Sequence, residues 1–312
     1  MNRRGALKVA AGVTAAIGLK PARAFAVSDS QSHGVTATPP RNPTHVDTAD
    51  GARLSVRAWG TGKPAVFLHA WGLTSDAWQY QMVPLSNRGV RCIAYDRRGH
   101  GRSSDPGAGF DYDVLADDLA AVLKAFDVRD ATLIGHSFAA GELVRYMSRH
   151  RGSRVSRLVM IAPACTPFGM QAPDNPGGTP AAVLEQLRQT RLLRDLPKTL
   201  REAMPAFLLP ESSPAMLDWV IGMVQQTSLK ALVECHRSMT ETDFRRELRA
   251  LSVPTLIIHG DKDTSAPIDT TGRATAAMIP SAQFTVYEGA PHGLLLTHIE
   301  RLTNDILAFV NG

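Results

Sequence analysis

The sequence has few cysteines and no long apolar run near its start, and each absence excludes a class of protein. Cys92, Cys165 and Cys235 are the only cysteines among 312 residues, too few and too scattered for a disulfide framework or a zinc site. The apolar stretch from Val9 to Leu19 has 11 residues, too short to cross a bilayer. We therefore expect no metal site built on cysteine and no insertion into a membrane.

A basic surface is also missing once the charges are located. The formal net charge is +5, but the first 26 residues contain five basic side chains and no acidic one. These five account for the whole excess and leave the remainder neutral. A basic face for nucleic acid or acidic lipid is therefore not expected. The five basic residues are Arg3, Arg4, Lys8, Lys20 and Arg23.

The basic segment has the pattern of an export signal. Asn2 to Lys8 resembles a twin-arginine motif, the apolar stretch follows it, and Ala24-Phe25-Ala26 suits cleavage by a signal peptidase. Residues 1–26 are thus predicted to direct a bacterial protein to the periplasm or the medium. Residues 27–44, with Ser, Thr, Gly and several prolines, are predicted to be a flexible linker.

From residue 45 onward, short apolar strands alternate with amphipathic helices. Strands are predicted at 54–59, 65–69, 91–95 and 157–161, and helical periodicity is clearest at 112–126. This alternation predicts an α/β fold, a mostly parallel, doubly wound sheet with helices on both faces, over residues 45–312.

The alternation stops between about 166 and 237, where only helical segments follow a loop rich in proline and glycine. We interpret this stretch as a helical cap inserted after the sixth strand. Its apolar residues are predicted to line a substrate pocket, although for each of them alone packing of cap against core is the better explanation. The cap residues concerned are Phe168, Phe207, Trp219 and Met223.

Ser137 carries the strongest chemical signal of the chain. It lies in Gly135-His136-Ser137-Phe138-Ala139, between an apolar strand and a helix. Small residues on both sides allow a sharp turn that exposes the hydroxyl, and the first amides of the helix lie beside it. A serine in that place is a candidate nucleophile, provided that a base and an acid accompany it.

Candidates for both partners follow Ser137 in the order that a doubly wound hydrolase requires. The strand at 255–260 runs into a turn containing Asp261 and Asp263, and the strand at 284–287 is followed by His292. Both turns come after the carboxyl ends of predicted strands, where such sheets place their catalytic loops. Either aspartate could orient the histidine, and an aspartate in such a turn often bonds its own backbone instead.

A fourth element is the turn after the strand that ends near His69. The amide of Trp71 in this turn and the amide of Phe138 are predicted to form an oxyanion hole. The Trp71 ring is expected either to pack in the core or to line the substrate pocket.

These motifs together resemble the α/β-hydrolase superfamily, and within it the serine arylesterases also described as cofactor-free haloperoxidases or perhydrolases. The similarity includes Asp96-Arg97-Arg98-Gly99-His100-Gly101-Arg102-Ser103, Glu241 to Arg245 and Tyr287 to Gly293. The resemblance implies that Ser137 is the nucleophile, His292 the base and Asp263 the acid. It also implies a small-molecule ester substrate, no metal, no haem and no other cofactor.

Three alternatives fit the same residues. Ser137 excludes the haloalkane dehalogenases and epoxide hydrolases of this fold, which need a carboxylate nucleophile, but lactonases and carbon–carbon bond hydrolases keep a serine. A non-catalytic ligand-binding protein could also retain the pocket. The resemblance further implies a peroxide-dependent activity, in which hydrogen peroxide replaces water. Alanines at 70, 139 and 140, where the family usually has glycine, indicate a change in pocket width.

Overall fold

The computed structural model describes residues 42–165 and 178–312, and these contain one sheet of eight strands in the order β1-β2-β4-β3-β5-β6-β7-β8. The two pairings that involve β2 are antiparallel and the other five are parallel. The predicted mostly parallel sheet is confirmed; the short first strand was not predicted. The strands are β1 (His45–Asp47), β2 (Arg53–Trp59), β3 (Lys63–Leu68), β4 (Val90–Tyr95), β5 (Ala131–His136), β6 (Val155–Ile161), β7 (Thr255–Gly260) and β8 (Ala282–Tyr287).

Helices cover both faces of this sheet. They are α1 (Gln79–Ser86), α2 (Tyr112–Ala125), α3 (Ala139–Arg149), α4 (Ala181–Leu187), α5 (Leu196–Ala203), α6 (Pro214–Gln225), α7 (Leu229–Glu241), α8 (Arg245–Arg249), α9 (Ala274–Met278), α10 (Leu294–Thr297) and α11 (Ile299–Asn311). Short 3₁₀ turns at Ser75–Trp78 and Met204–Phe207 and π-helical turns at Arg188–Leu192 and Asp269–Arg273 adjoin α1, α5, α4 and α9.

The central strands are buried on both sides, and their alternate residues belong to two hydrophobic cores, one on each face of the sheet. In β3, Val66 and Leu68 pack with α2 and α3, whereas Ala65 and Phe67 pack with α1 and α11. Successive side chains of a strand point to opposite faces, so a strand with helices on both sides must be apolar throughout. The predicted helix at 112–126 is present as α2. Asp111 caps it by accepting from the amides of Asp113 and Val114.

Between β6 and β7 the described residues form helices and turns and contain no strand. The helices α4 to α7 lie in the stretch where a cap was predicted, and α7 runs on to Glu241. α8 then packs against α3 of the core, which returns the chain to the sheet.

Several predictions fall outside the described residues. They are the export signal at 1–26, most of the linker at 27–44 and the pocket residue Phe168. In the part of the chain that the structure covers, no helix has the length and apolar character needed to cross a membrane. Its three cysteines are buried and unpaired.

Candidate active site

Ser137 lies in the turn between β5 and α3, and its backbone adopts a left-handed conformation with φ of +57°. A residue with a Cβ avoids this region at a cost of about 1–2 kcal/mol, so the surrounding contacts must hold it there. Its amide donates to the Ile161 carbonyl at 2.8 Å, and its own carbonyl accepts from the amides of Ala140 and Ala164. The turn is tight enough that a Cβ on Gly135 would lie 3.1 Å from that of Ala139.

His292 connects the serine to an acid through hydrogen bonds on both ring nitrogens. Its Nε2 lies 2.9 Å from the Ser137 Oγ, and its Nδ1 lies 2.6 Å from the Asp263 Oδ2. The carboxylate can only accept, so Nδ1 carries the proton and Nε2 is free to accept from the hydroxyl. The three residues predicted as nucleophile, base and acid therefore meet in one chain of hydrogen bonds.

The structure also distinguishes the two aspartates that the sequence left open. Asp261 bonds elsewhere, and its Oδ1 accepts from the Gly289 amide at 2.7 Å. Asp263 is buried, and its Oδ1 accepts from the amides of Ser265 and Ala266 at 2.9 and 2.8 Å. Burial alone would raise the pKa of Asp263, but the charge of His292 and the hydrogen bonds to the carboxylate lower it below its ordinary value.

The amides predicted to form an oxyanion hole belong to Trp71, after β3, and Phe138, at the start of α3. Within residues 42–165 and 178–312, neither amide has a hydrogen-bond acceptor in the protein. Two free amides beside a serine hydroxyl are what a developing oxyanion needs. Ala70 does not take a positive φ, so its Cβ imposes no strain on the backbone after β3.

The indole of Trp71 fixes the loop that carries the first amide. Its Nε1 donates to the Leu232 carbonyl of α7 at 2.8 Å, and the half-buried ring borders the cavity above Ser137. This hydrogen bond joins the loop after β3 to the helical insertion.

A buried charged cluster joins the loop after β3 to α3. Arg97 forms an ion pair with Glu142 of α3, and Glu142 also accepts from the Tyr95 hydroxyl. The Arg97 amide donates to His69 Nε2 at 3.1 Å, while His69 Nδ1 lies 2.9 Å from the Ala70 carbonyl. Burial and the charge of Arg97 lower the pKa of His69 well below its ordinary value. The cluster thus ties the loop after β3 to the helix that follows Ser137.

Sequence reasoning missed this cluster, although one signal was present. Glu142 stands in the first turn of a helix whose neighbouring residues are apolar and small. A fully buried acid is rare unless it is paired, so its position predicts a basic partner. The partner, Arg97, lies in the Asp96–Ser103 motif that carried part of the family resemblance.

His136, directly before the serine, supports the loop of the base. Its Nε2 lies 3.0 Å from the His292 carbonyl, and the two rings are 4.9 Å apart. Burial and the neighbouring charge of His292 lower the pKa of His136 to about 3. A neutral imidazole therefore lies against His292 and adds no second charge beside it.

Ser137 and His292 open into a cavity of about 190 Å³. The predicted pocket residues Trp71 and Phe207 border it. Trp219 and Met223 do not: Trp219 packs edge-on against Tyr80 at 5.9 Å, and Met223 lies in the core. Val224, one residue further along α6, takes the place expected for Met223, because one residue turns the side chain by about 100° around the helix axis. The other lining residues are Ala70, Leu73, Ala164, Met204, Met239, Ser265 and Ala266.

Across the residues that the structure describes, no three His, Cys, Asp or Glu side chains are grouped so as to hold a metal ion. The histidines nearest to Ser137 instead bond to carboxylates and backbone carbonyls.

Comparison with known proteins places this site among enzymes. Residues 63–299 match the family described as alpha/beta hydrolase fold. The chain is 37% identical to the non-heme chloroperoxidase CPO-A1 of Kitasatospora aureofaciens, over 85% of this chain and 98% of that protein. It is 34% identical to the bifunctional esterase/perhydrolase DCH of Acinetobacter calcoaceticus, over 86% and 99%. The structure of a bromoperoxidase from Bacillus anthracis superposes with a TM-score of 0.81 at 30% identity, over 86% and 99%.

Proposed function

The chain belongs to the alpha/beta hydrolase family, and on that premise we propose that it is a serine esterase that cleaves small carboxylic esters through an acyl-Ser137 intermediate. The observation that carries the proposal is the unbroken hydrogen-bonded chain Asp263–His292–Ser137, which opens into an apolar cavity. The relatives named as chloroperoxidase and esterase/perhydrolase support it.

Acylation begins when the Ser137 Oγ attacks the ester carbonyl and His292 Nε2 takes its proton. The amides of Trp71 and Phe138 stabilise the oxyanion of the tetrahedral intermediate, each by about 3–4 kcal/mol if they act as comparable donors do. The bond to the alcohol oxygen then breaks, and His292 returns the proton to the leaving alcohol. Asp263 stabilises the imidazolium and holds the ring in the tautomer described above.

Deacylation repeats these steps with water. His292 removes a proton from water, whose oxygen bonds to the acyl carbon, and Ser137 leaves with the proton that His292 returns. If hydrogen peroxide attacks in place of water, the same proton transfers release a peracid. The peracid oxidises halide in solution, where it is reduced to the carboxylic acid. One intermediate thus accounts for both activities in the names of the relatives.

The cavity indicates the size of the acid. Its volume of about 190 Å³ is below the roughly 300–1,000 Å³ of typical sites for larger ligands. Trp71, Phe207 and Val224 give it largely apolar walls. We therefore expect short acyl groups to be preferred over long ones.

A panel of p-nitrophenyl esters with acids of increasing length tests the esterase, and bromination with peroxide and acetate tests the peroxide route. Ser137→Ala should abolish both activities, and His292→Ala should reduce ester hydrolysis by at least about 10⁴-fold. Bromination that survives in Ser137→Ala would refute the shared intermediate. Activity confined to cyclic esters or to carbon–carbon bonds would favour a lactonase or a carbon–carbon hydrolase, and binding without turnover would favour a ligand-binding protein.

We further propose that residues 1–26 direct export to the periplasm or the medium. The paired arginines, the apolar stretch and Ala24-Phe25-Ala26 support this. Mass spectrometry of the protein from the periplasm and the medium tests it: cleavage at or near Ala26 is expected, and an intact Met1 or Asn2 on all of the protein would contradict it. A small-molecule ester is the partner proposed, and the neutral charge of residues 27–312 gives no support to nucleic-acid binding.

A further inference from the structure

A second histidine contacts the acid of the proposed catalytic chain. His259, near the end of β7, is fully buried, and its Nε2 lies 3.0 Å from the same Oδ2 of Asp263 that contacts His292. The same Nε2 lies 2.9 Å from the Ala266 carbonyl. Both of these neighbours can only accept, so Nε2 carries a proton that it shares between them.

The ring of His259 is held tightly in this orientation. The turn Asp269–Arg273 packs Gly272 against it, and a Cβ on Gly272 would lie 2.3 Å from the His259 Nδ1. The Ala266 carbonyl is fixed in turn by the Thr271 hydroxyl at 3.1 Å. Nδ1 itself has no hydrogen-bond partner in the described part of the chain. The hydrogen bonds of Nε2 and the packing of Gly272 therefore fix the orientation of the ring.

We propose that His259 is a positioning residue for Asp263, which holds Oδ2 toward His292 and draws part of the carboxylate charge away from it. The inference rests on the proposed function of the serine, histidine and aspartate. With His259 present, each carboxylate oxygen has two N–H donors: two backbone amides on Oδ1 and two imidazoles on Oδ2. Without it, Oδ2 keeps only His292 and the carboxyl group can rotate.

The two imidazole donors on Oδ2 determine in which direction the pH dependence of kcat/KM changes when one of them is removed. If one donor is removed from Asp263, more of its negative charge remains for His292, which favours the imidazolium. The acidic limb of kcat/KM, which reports the free base, should therefore move to higher pH.

The other titratable and charged groups near His259 are few. Asp263 lies on the loop that follows β7, His292 approaches from the loop after β8, and His136 lies at the end of β5. The turn that packs on its ring presents Gly272, while its charged residues Asp269 and Arg273 pair with each other at the surface, 3.0 Å apart. The effect of removing His259 should thus reach His292 mainly through Asp263.

Three substitutions at position 259 distinguish the loss of the hydrogen-bond donor from the loss of the volume of the ring. His259→Leu removes the donor and keeps the volume, and His259→Asn places its amide near Nδ1, too far back to reach Oδ2. His259→Gln extends an amide to the position of Nε2. For Leu and Asn we expect kcat to fall by roughly tenfold, KM to change by less than about twofold and the acidic limb to rise by about half a unit, the size of one hydrogen bond. The Gln variant should recover most of the wild-type kcat and most of the wild-type position of the acidic limb.

His100→Leu is the matched control, because His100 is equally buried and bonds a backbone carbonyl but does not touch the three residues. It should lose stability without moving the acidic limb. The inference is overturned if the Leu and Asn variants keep the wild-type limb, or if Gln loses as much kcat as Asn.

A second measurement does not depend on turnover. The deshielded proton between His292 Nδ1 and Asp263 gives its own proton NMR signal, which should shift in His259→Asn and return toward its wild-type position in His259→Gln. An unchanged signal in the Asn variant would overturn the inference. Wild-type protein without esterase activity would refute the proposed function alone, because the NMR signal reports the hydrogen bond directly.

Discussion

Removing the charge of Glu142 should destabilise the protein more than most single substitutions. The side chains of Arg97 and Glu142 are 1% and 0% exposed, so neither can turn to water when its partner is lost. The pKa of Arg97 is raised above its ordinary value, because the attraction of Glu142 outweighs the effect of burial. In Glu142→Gln that attraction is lost, but a guanidinium does not release its proton inside a protein, so Arg97 stays charged and uncompensated. We expect a loss of about 3–5 kcal/mol in the free energy of unfolding.

The double variant Arg97→Met/Glu142→Met should lose less than Glu142→Gln, because it removes both charges together and fills the space with apolar atoms. Urea denaturation followed by circular dichroism measures each value, provided that the slope m stays constant. A surface pair provides the reference: Arg149 and Asp117 are 2.8 Å apart but 42% and 46% exposed, and their coupling should stay below about 1 kcal/mol.

Two results would refute this reasoning. One is Glu142→Gln within about 1 kcal/mol of the wild type, which would mean that water or another group neutralises Arg97. The other is a double variant less stable than Glu142→Gln, which would show that the pair contributes more than the cost of isolating one charge.

Three further predictions follow from the same geometry. Ser137→Gly should be about 0.5–1 kcal/mol more stable than Ser137→Ala in urea, because both lack the hydroxyl but only glycine is unstrained at φ of +57°; equal stability would contradict this. Burial lowers the pKa of His100 and His136 to about 3, so their stabilising contribution is complete above pH 6.5 and lost as pH falls toward 3. In urea titrations each of these two should account for about 1.4 kcal/mol of stability lost per pH unit between pH 6.5 and 3, in addition to the loss from other buried histidines such as His69, and a flat profile would exclude neutral histidines. Gly293→Ala should cost about 1–3 kcal/mol by the same assay, since its Cβ would lie 2.4 Å from the Phe207 carbonyl oxygen; an unchanged midpoint would show that this turn yields easily.

The sheet and the meeting of Ser137 with His292 were predictable, because both depend on patterns that are local in sequence. Alternating apolar strands and helices set the order of the layers, and turns at the carboxyl ends of parallel strands converge on one edge. The choice of Asp263 over Asp261 depends on contacts that are distant in sequence. Asp263 contacts His292 on the loop after β8, whereas Asp261 accepts from the Gly289 amide of that loop.

The wall of the cavity could not be read from the sequence in the same way. Met223 and Val224 are both apolar residues of α6, and only the rotation of that helix against the core decides which one faces Ser137. The contacts of Arg97 with Glu142 and of His259 with Asp263 depend on exact distances between elements that periodicity does not supply. A buried polar residue can be recognised by itself in the sequence, but its partner can be identified only from the folded structure.

The position of His292 late in the sequence determines when the proposed site can assemble during translation. The loop that carries it follows β8, which pairs with β7 at one edge of the sheet formed by the described residues, and 155 residues separate it from Ser137. Contacts between such distant segments form late, because a long loop must close first. A ribosome-bound chain with β5 and α3 already emerged therefore has the serine without its base. The proposed nucleophile therefore gains its proposed base only when the edge strand docks, after most of the chain has been translated.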